Sequence, residues 1–236
     1  VLLGRTREGV LPTIVSRCQV VPFRHIPARE AAGILSQKVG VTPERARMAI
    51  EACDGSITQA ISFAKSSERT EFRARVMEVL AGLSVADARD VLEYAAELIE
   101  RAKAPLDNVR TEQSEELAES ADFLTKTAMR QIELRHKRAL TQATRTSLRQ
   151  MTAIIRSWLR DVLMAVSGTP ELMVNIDQRS AVEAAAARVN VEGLMRALRE
   201  AYKTDEALSY NVSPETCLDT LLFTIREVLH GSGNTY

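Results

Sequence analysis

Ser16-Arg17-Cys18 stands between a proline-led helical turn beginning at Pro12 and a strand-like run from Gln19 to Phe23. Chemistry alone leaves two readings open. In one, Arg17 is a surface-loop arginine beside a small buried cysteine. In the other, its guanidinium is placed to meet a phosphate. An arginine supplied in trans stabilises charge that develops on a transferred phosphoryl group.

A second set of cations lies further along. Arg138, Arg145, Arg149, Arg156 and Arg160 recur at steps of 7, 4, 7 and 4. At about 100° per residue they form one narrow helical stripe. The stripe is either a solvated face paired with acids of a neighbouring helix, or a partner surface or DNA-backbone contact. The five acids of 112–122 are the expected acidic partners. The stripe holds no aromatics for base stacking, so it does not read nucleic-acid sequence.

Other chemistries find little support. Cys18, Cys53 and Cys217 lie far apart, with no C-x-x-C pair, which argues against a cysteine zinc site or a disulfide scaffold. His25, His136 and His230 are isolated; each reads as a surface or cap residue. No nucleophile–base arrangement stands out, and no metal is expected. The formal net charge of +0 with 31 basic and 31 acidic residues predicts no nucleic-acid partner in bulk, though a local patch remains open. No apolar stretch reaches the 18 or so residues of a membrane span.

The elements that must hold these residues read as helices. Aromatics are 4% of the chain, and Gly and Pro together number 17. Ala, Leu, Arg and Glu dominate, and such side chains lose little freedom in a helix. Residues 1–4 and Gln19–Phe23 are expected as strands, with sheet partners upstream. The opening Val1-Leu2-Leu3-Gly4 reads as the interior of a longer protein. Three short helices then follow: Pro27 to Lys38; Pro43 to about Cys53, capped by Thr42; and one after the Ser56 cap to about Lys65.

Longer helices come next. Phe72, Val76, Leu80 and Leu83 share one face, and Ser84 to Asp87 resembles a capping-box start. Ala88, Val91, Leu92, Ala95, Leu98, Ile99 and Ala102 form the next apolar face, ended by Pro105. Leu148, Met151, Ile155, Trp158, Val162 and Ala165 keep heptad spacing and form the seam of a long helix ended by Gly168 and Pro170. Asn190 and Ser213-Pro214 start two more, the last presenting Leu218, Leu221, Leu222, Ile225 and Leu229 inward and stopping at Gly231. Residues 68–231 read as five or six packed helices.

Leu11-Pro12-Thr13-Ile14-Val15-Ser16-Arg17-Cys18-Gln19 resembles the Ser-Arg-Cys segment of clamp-loader ATPases of the AAA+ class. Leu2 to Glu8 resembles the strand and sensor-1 loop before it, which puts Thr6 at the sensor-1 position. Asp54-Gly55-Ser56-Ile57-Thr58-Gln59-Ala60 resembles the opening of the last lid helix, where active subunits carry the sensor-2 arginine; here Thr58 stands instead. Glu133 to Arg138, Trp158-Leu159-Arg160-Asp161-Val162-Leu163 and Asn211 to Leu222 are similar to collar segments of the delta-prime family of bacterial DNA polymerase III.

The resemblance implies a mainly α chain. Residues 1–24 would end an AAA+ α/β core, 25–67 would form its three-helix lid, and 68–236 would form a collar that oligomerises. It further implies that Arg17, flanked by Ser16 and Cys18, is an arginine finger. The finger would reach ATP and Mg held by a neighbouring gamma/tau subunit, and this chain would hold no cofactor and no catalytic site of its own. Its partners would be gamma/tau and delta subunits and, through the assembled complex, the sliding clamp and primer-template DNA. The chain would act as a stator in a cytoplasmic polymerase (nucleotidyltransferase) holoenzyme. Two alternatives are a gamma/tau-type ATPase, which Thr58 counts against, and an unrelated helical-bundle interaction protein.

Overall fold

Helix starts are set by residues that satisfy the first free backbone N–H groups. Thr42 accepts from Arg45 N, Ser56 from Gln59 N, Thr125 from Ala128 N, Asn190 from Gly193 N and Ser213 from Thr216 N, at 2.7–3.4 Å. Pro43 and Pro214 occupy first-turn positions where no N–H is needed. The computed structural model describes residues 2, 9–24, 26–106, 110–111, 113–114, 117, 125–210 and 212–230. In it α1 is Pro12–Val15, α2 Ala28–Val39, α3 Pro43–Ala52, α4 Ile57–Lys65, α5 Ser67–Gly82, α6 Ala88–Lys103, α7 Lys126–Val166, α8 Arg179–Ala186, α9 Val191–Ala207 and α10 Pro214–Leu229. Short 3-10 turns at Pro170–Leu172 and Ile176–Gln178 link α7 to α8.

Helices α2, α3 and α4 pack on one another around Ala31, Leu35, Ala46, Ile50, Ala60 and Phe63. Helices α5, α6, α8 and α9 gather around α7, which also touches α3, and α10 packs on α6 and α9. From Leu148 to Val162 this helix is buried on nearly every side. Ala153, Ile154 and Leu159 are as enclosed as the expected seam of Met151, Ile155 and Trp158. A heptad seam marks one contact line, whereas α7 is the hub of the fold and has neighbours all round. Its first half, Lys126 to Ser147, contains no buried residue. Leu218, Leu221, Leu222, Ile225 and Leu229 of α10 all face the core, as their spacing predicts.

Four expectations need correction. Gln19–Phe23 forms no strand, and its Val20, Val21 and Phe23 are exposed; among the described residues no neighbouring strand satisfies its backbone, and a lone strand gains nothing by extending. Cys18 is exposed rather than buried. Helix α6 starts at Asp87, not Ser84. The Asp87 side chain accepts from Asp90 N at 2.9 Å while Asp90 accepts from Asp87 N at 2.8 Å, and a reciprocal pair outcompetes a lone serine. That start turns Ala88 and Leu92 to solvent, leaving Val91, Ala95, Leu98, Ile99 and Ala102 as the buried stripe. Residues 1 and 3–4 of the first expected strand, Thr6, His25, the acids of 112–122, Asn211 and Gly231 lie outside the described residues.

Candidate functional site

Arg17 follows α1, in a turn where its backbone N–H donates to Ile14 O at 3.1 Å and Ser16 Oγ donates to Thr13 O at 3.2 Å. Ser16, Arg17 and Cys18 are all exposed, and Arg17 makes no ion pair among the described residues. The turn therefore presents a solvated guanidinium. Thr58 lies in the first turn of α4 and is also exposed. It brings a hydroxyl and no charge.

The arginine stripe divides into two halves. Toward the C-terminus of α7 it is neutralised by acids distant in sequence. Arg149 donates Nε and a terminal nitrogen to the two oxygens of Asp205 on α9, each at 3.1 Å. Arg156 reaches Asp54 Oδ1 at 3.1 Å and Asp205 Oδ2 at 3.5 Å, with its guanidinium 4.9 Å from the Tyr202 ring centroid. Arg160 reaches Glu51 of α3 at 2.9 Å. Thr152 Oγ1 also donates to Asp205, at 3.0 Å. Burial alone would raise the Asp205 carboxyl. The Arg149 hydrogen bonds and the Arg156 charge outweigh it and hold the group below the ordinary carboxylate range.

The same contacts seat the α2–α4 bundle on α7. Gln150 of α7 donates Nε2 to Cys53 Sγ at 3.1 Å and accepts from Arg69 at 3.4 Å. Burial pushes the Cys53 thiol up to about 11, although the Gln150 hydrogen bond and the Arg69 charge oppose this. Between Cys53 and Ser56 on one side and Arg145, Arg149 and Asp205 on the other lies an open polar cleft of about 520 Å³.

Toward the N-terminus of α7 the stripe meets no acid among the described residues. Arg138 is exposed and Arg145 half-buried, and neither meets an acid among the described residues. Among the described residues the stripe is thus internally paired in its C-terminal half and meets no acid in its N-terminal half. Among the described residues the acids that pair with it are Glu51, Asp54 and Asp205. Asp205 carried a signal of its own. It follows Leu194, Ala197 and Ala201 in the buried register of α9, and a carboxylate in an apolar register needs a cationic partner.

A second buried network was not foreseen. Asp161 is wholly buried and accepts from Val174 N, Asn175 N and Asn175 Nδ2 at 2.7–3.1 Å. Asn175 in turn accepts from Arg73 at 2.8 Å, and Arg73 grips Asp177 at 2.8 and 2.9 Å. In the Trp158-Leu159-Arg160-Asp161 segment, Trp158 fills the core, Arg160 holds α3 and Asp161 anchors the loop after α7.

Among the described residues no cluster of His, Cys, Asp or Glu could hold a metal ion, and no helix is long and apolar enough to cross a membrane. What the described residues define is a helical module built on a buried hub helix. Residues 116–226, somewhat less than half of the chain, match the model of a family described as DNA polymerase III, delta subunit, C terminal. That span includes all of α7, α8 and α9 and most of α10, so this part of the chain is similar to a component of a clamp loader. No curated protein and no solved structure matches the chain.

Proposed function

We propose that this chain is a clamp-loader subunit of the DNA polymerase III holoenzyme, of the delta-prime type. The family match over 116–226 is the observation that carries the clamp-loader part of this reading; the delta-prime type rests on the resemblance of the collar segments and on Thr58. On it, α5–α10 are the collar that joins the subunit ring, and α2–α4 are the lid of an AAA+ module whose core ends near Phe23. The Ser16-Arg17-Cys18 turn offers Arg17 to ATP bound by a neighbouring gamma/tau subunit. The uncharged Thr58 at the sensor-2 position favours a subunit that supports hydrolysis without performing it. The ring as a whole then places the sliding clamp on primer-template DNA, and this subunit acts as its stator.

Light scattering on a sizing column, with the chain alone and mixed with gamma/tau and delta subunits, tests the assignment. A defined hetero-oligomer is expected. A chain that ignores both partners, presented with its complete AAA+ portion, would overturn it. In an assembled loader, Arg17→Ala should leave the complex intact and lower DNA-stimulated ATP hydrolysis by on the order of 10³-fold. Unchanged hydrolysis would remove the arginine-finger role.

The matched family, that of the delta subunit, favours a second reading, a delta-type subunit. The same column separates the two. A delta-prime-type chain joins a complex that already contains delta, whereas a delta-type chain competes with delta for its place.

A further inference from the structure

We infer that the N-terminal half of α7 is a docking surface for the phosphodiester backbone of a nucleic acid. Lys126, Arg130, Arg135, Lys137 and Arg138 are exposed and Arg145 is half-buried. None of the six pairs with an acid among the described residues. Glu133 is the one acid between Lys126 and Arg160. At about 100° per residue, Lys126, Arg130, Lys137, Arg138 and Arg145 fall within an arc of about 120°. At 1.5 Å per residue they extend over about 28 Å of helix. The result is a linear array of fixed positive charge on a chain whose formal net charge is +0.

The contrast with the rest of the stripe gives this array its meaning. Arg149, Arg156 and Arg160 are each matched by Asp205, Asp54 or Glu51, so the fold supplies acids where arginines serve packing. It supplies none among the described residues toward the other end of the same stripe. A phosphodiester backbone brings the negative charge that the described acids do not supply there.

Two features favour phosphates over an acidic protein. A protein interface is built around a buried apolar centre, and this arc offers one exposed large apolar residue, Leu134. Phosphate contacts need no such centre; they use Arg, Lys and hydroxyl or amide donors. The arc supplies these, with Thr127 and Thr141 among the cations. No aromatic residue lies on it, so binding is to backbone and indifferent to base sequence. The inference deepens the clamp-loader reading by giving this subunit its own contact with the nucleic acid, but its test needs no other subunit.

The test is fluorescence anisotropy of the whole chain with a labelled oligothymidylate and with a duplex of equal length, over a range of salt. Binding in the range of about 10⁻⁴–10⁻⁶ M is expected, with log K falling against log salt. The variant Arg130→Gln/Lys137→Gln/Arg138→Gln/Arg145→Gln should weaken binding by at least about tenfold. It should flatten the salt slope by about 0.7 per cation removed for the single strand. All four side chains lie outside the core, so an unchanged thermal melt is expected to accompany the loss. The control variant Arg89→Gln/Arg179→Gln, at two surface arginines already paired with Glu93 and Glu183, should bind as the parent does. The relative affinity of the two probes tells single strand from duplex. Absence of binding to both at low salt would overturn the inference, as would an equal loss in the control. Polyglutamate displacing the oligonucleotide more effectively than unlabelled oligothymidylate would assign the surface to an acidic protein instead. Failure here with successful assembly on the sizing column would leave the clamp-loader reading standing.

Discussion

Arg156 and Asp54 meet at 3.1 Å across 102 residues of sequence, and Asp54 reaches that position from a left-handed backbone conformation, φ 51°. It is the residue just beyond the C-cap of α3. Asp54 N donates to Glu51 O at 3.1 Å and Gly55 N to Ile50 O at 2.9 Å, the double closure of a Schellman turn. Glycine is the usual occupant of that place, and aspartate tolerates it better than most residues. Here the carboxylate ties the α2–α4 bundle to the hub helix.

Asp54 is 65% exposed at its side chain and Asp205 13%, so their pairings with Arg156 differ in worth. Double-mutant cycles by urea denaturation should give about 0.2–1 kcal/mol for Arg156→Ala with Asp54→Asn, as for exposed ion pairs. The coupling of Arg156→Ala with Asp205→Asn should be larger, because water screens that pair less. The reverse order would mean that the bundle, not α9, holds Arg156 in place.

Asp205 also sets an acid limit. Its folded pKa lies below the ordinary value, so its stabilisation is fully present above the unfolded pKa of about 3.9. It is lost as pH falls through the folded value. Asp205→Asn should cost about 1–3 kcal/mol at neutral pH, and the gap from the parent should shrink below about pH 4. A gap that persists undiminished at the lowest pH where both proteins fold would show that the carboxylate's charge is not what matters.

Most caps and apolar faces were legible because they are local, the Asp87 start of α6 being the exception. Thr42, Ser56, Asn190 and Ser213 start helices where their side-chain oxygens predict, and the α10 face of Leu218, Leu221, Leu222, Ile225 and Leu229 is the core. The partners of the stripe were not legible, since Glu51, Asp54 and Asp205 are brought to it by tertiary packing over separations of 56–109 residues. Burial of Ile154 and Leu159 escaped for the same reason, because periodicity reports one face and α7 has several. The Gln19–Phe23 run has the alternation of a strand but no partner among the described residues, and pattern alone cannot supply one.

Asp161 is a carboxylate that serves packing. Its removal in Asp161→Ala leaves the buried N–H groups of Val174 and Asn175 without acceptors, at about 1–3 kcal/mol each. A loss of about 3 kcal/mol in denaturation is expected, with faster amide exchange at Val174 and Asn175. A loss below about 1 kcal/mol would mean that the loop finds other acceptors at little cost.

The three cysteines should separate by reactivity. The thiolate is the reactive form, and the Cys53 thiol is buried and raised to about 11. Cys217 is half-buried, and burial together with Glu200 and Glu215 raises it too. Cys18 is exposed. At neutral pH a thiol reagent should modify Cys18 first, Cys217 slowly, and Cys53 after denaturant is added. Mass mapping of the labelled peptides reads the order. Cys53→Ala, which removes the acceptor of the Gln150 hydrogen bond, should speed dissociation of the α3–α7 seam, seen as faster proteolysis within residues 53–66. Rapid modification of Cys53 in the native protein would show that this seam opens far more often than its packing implies.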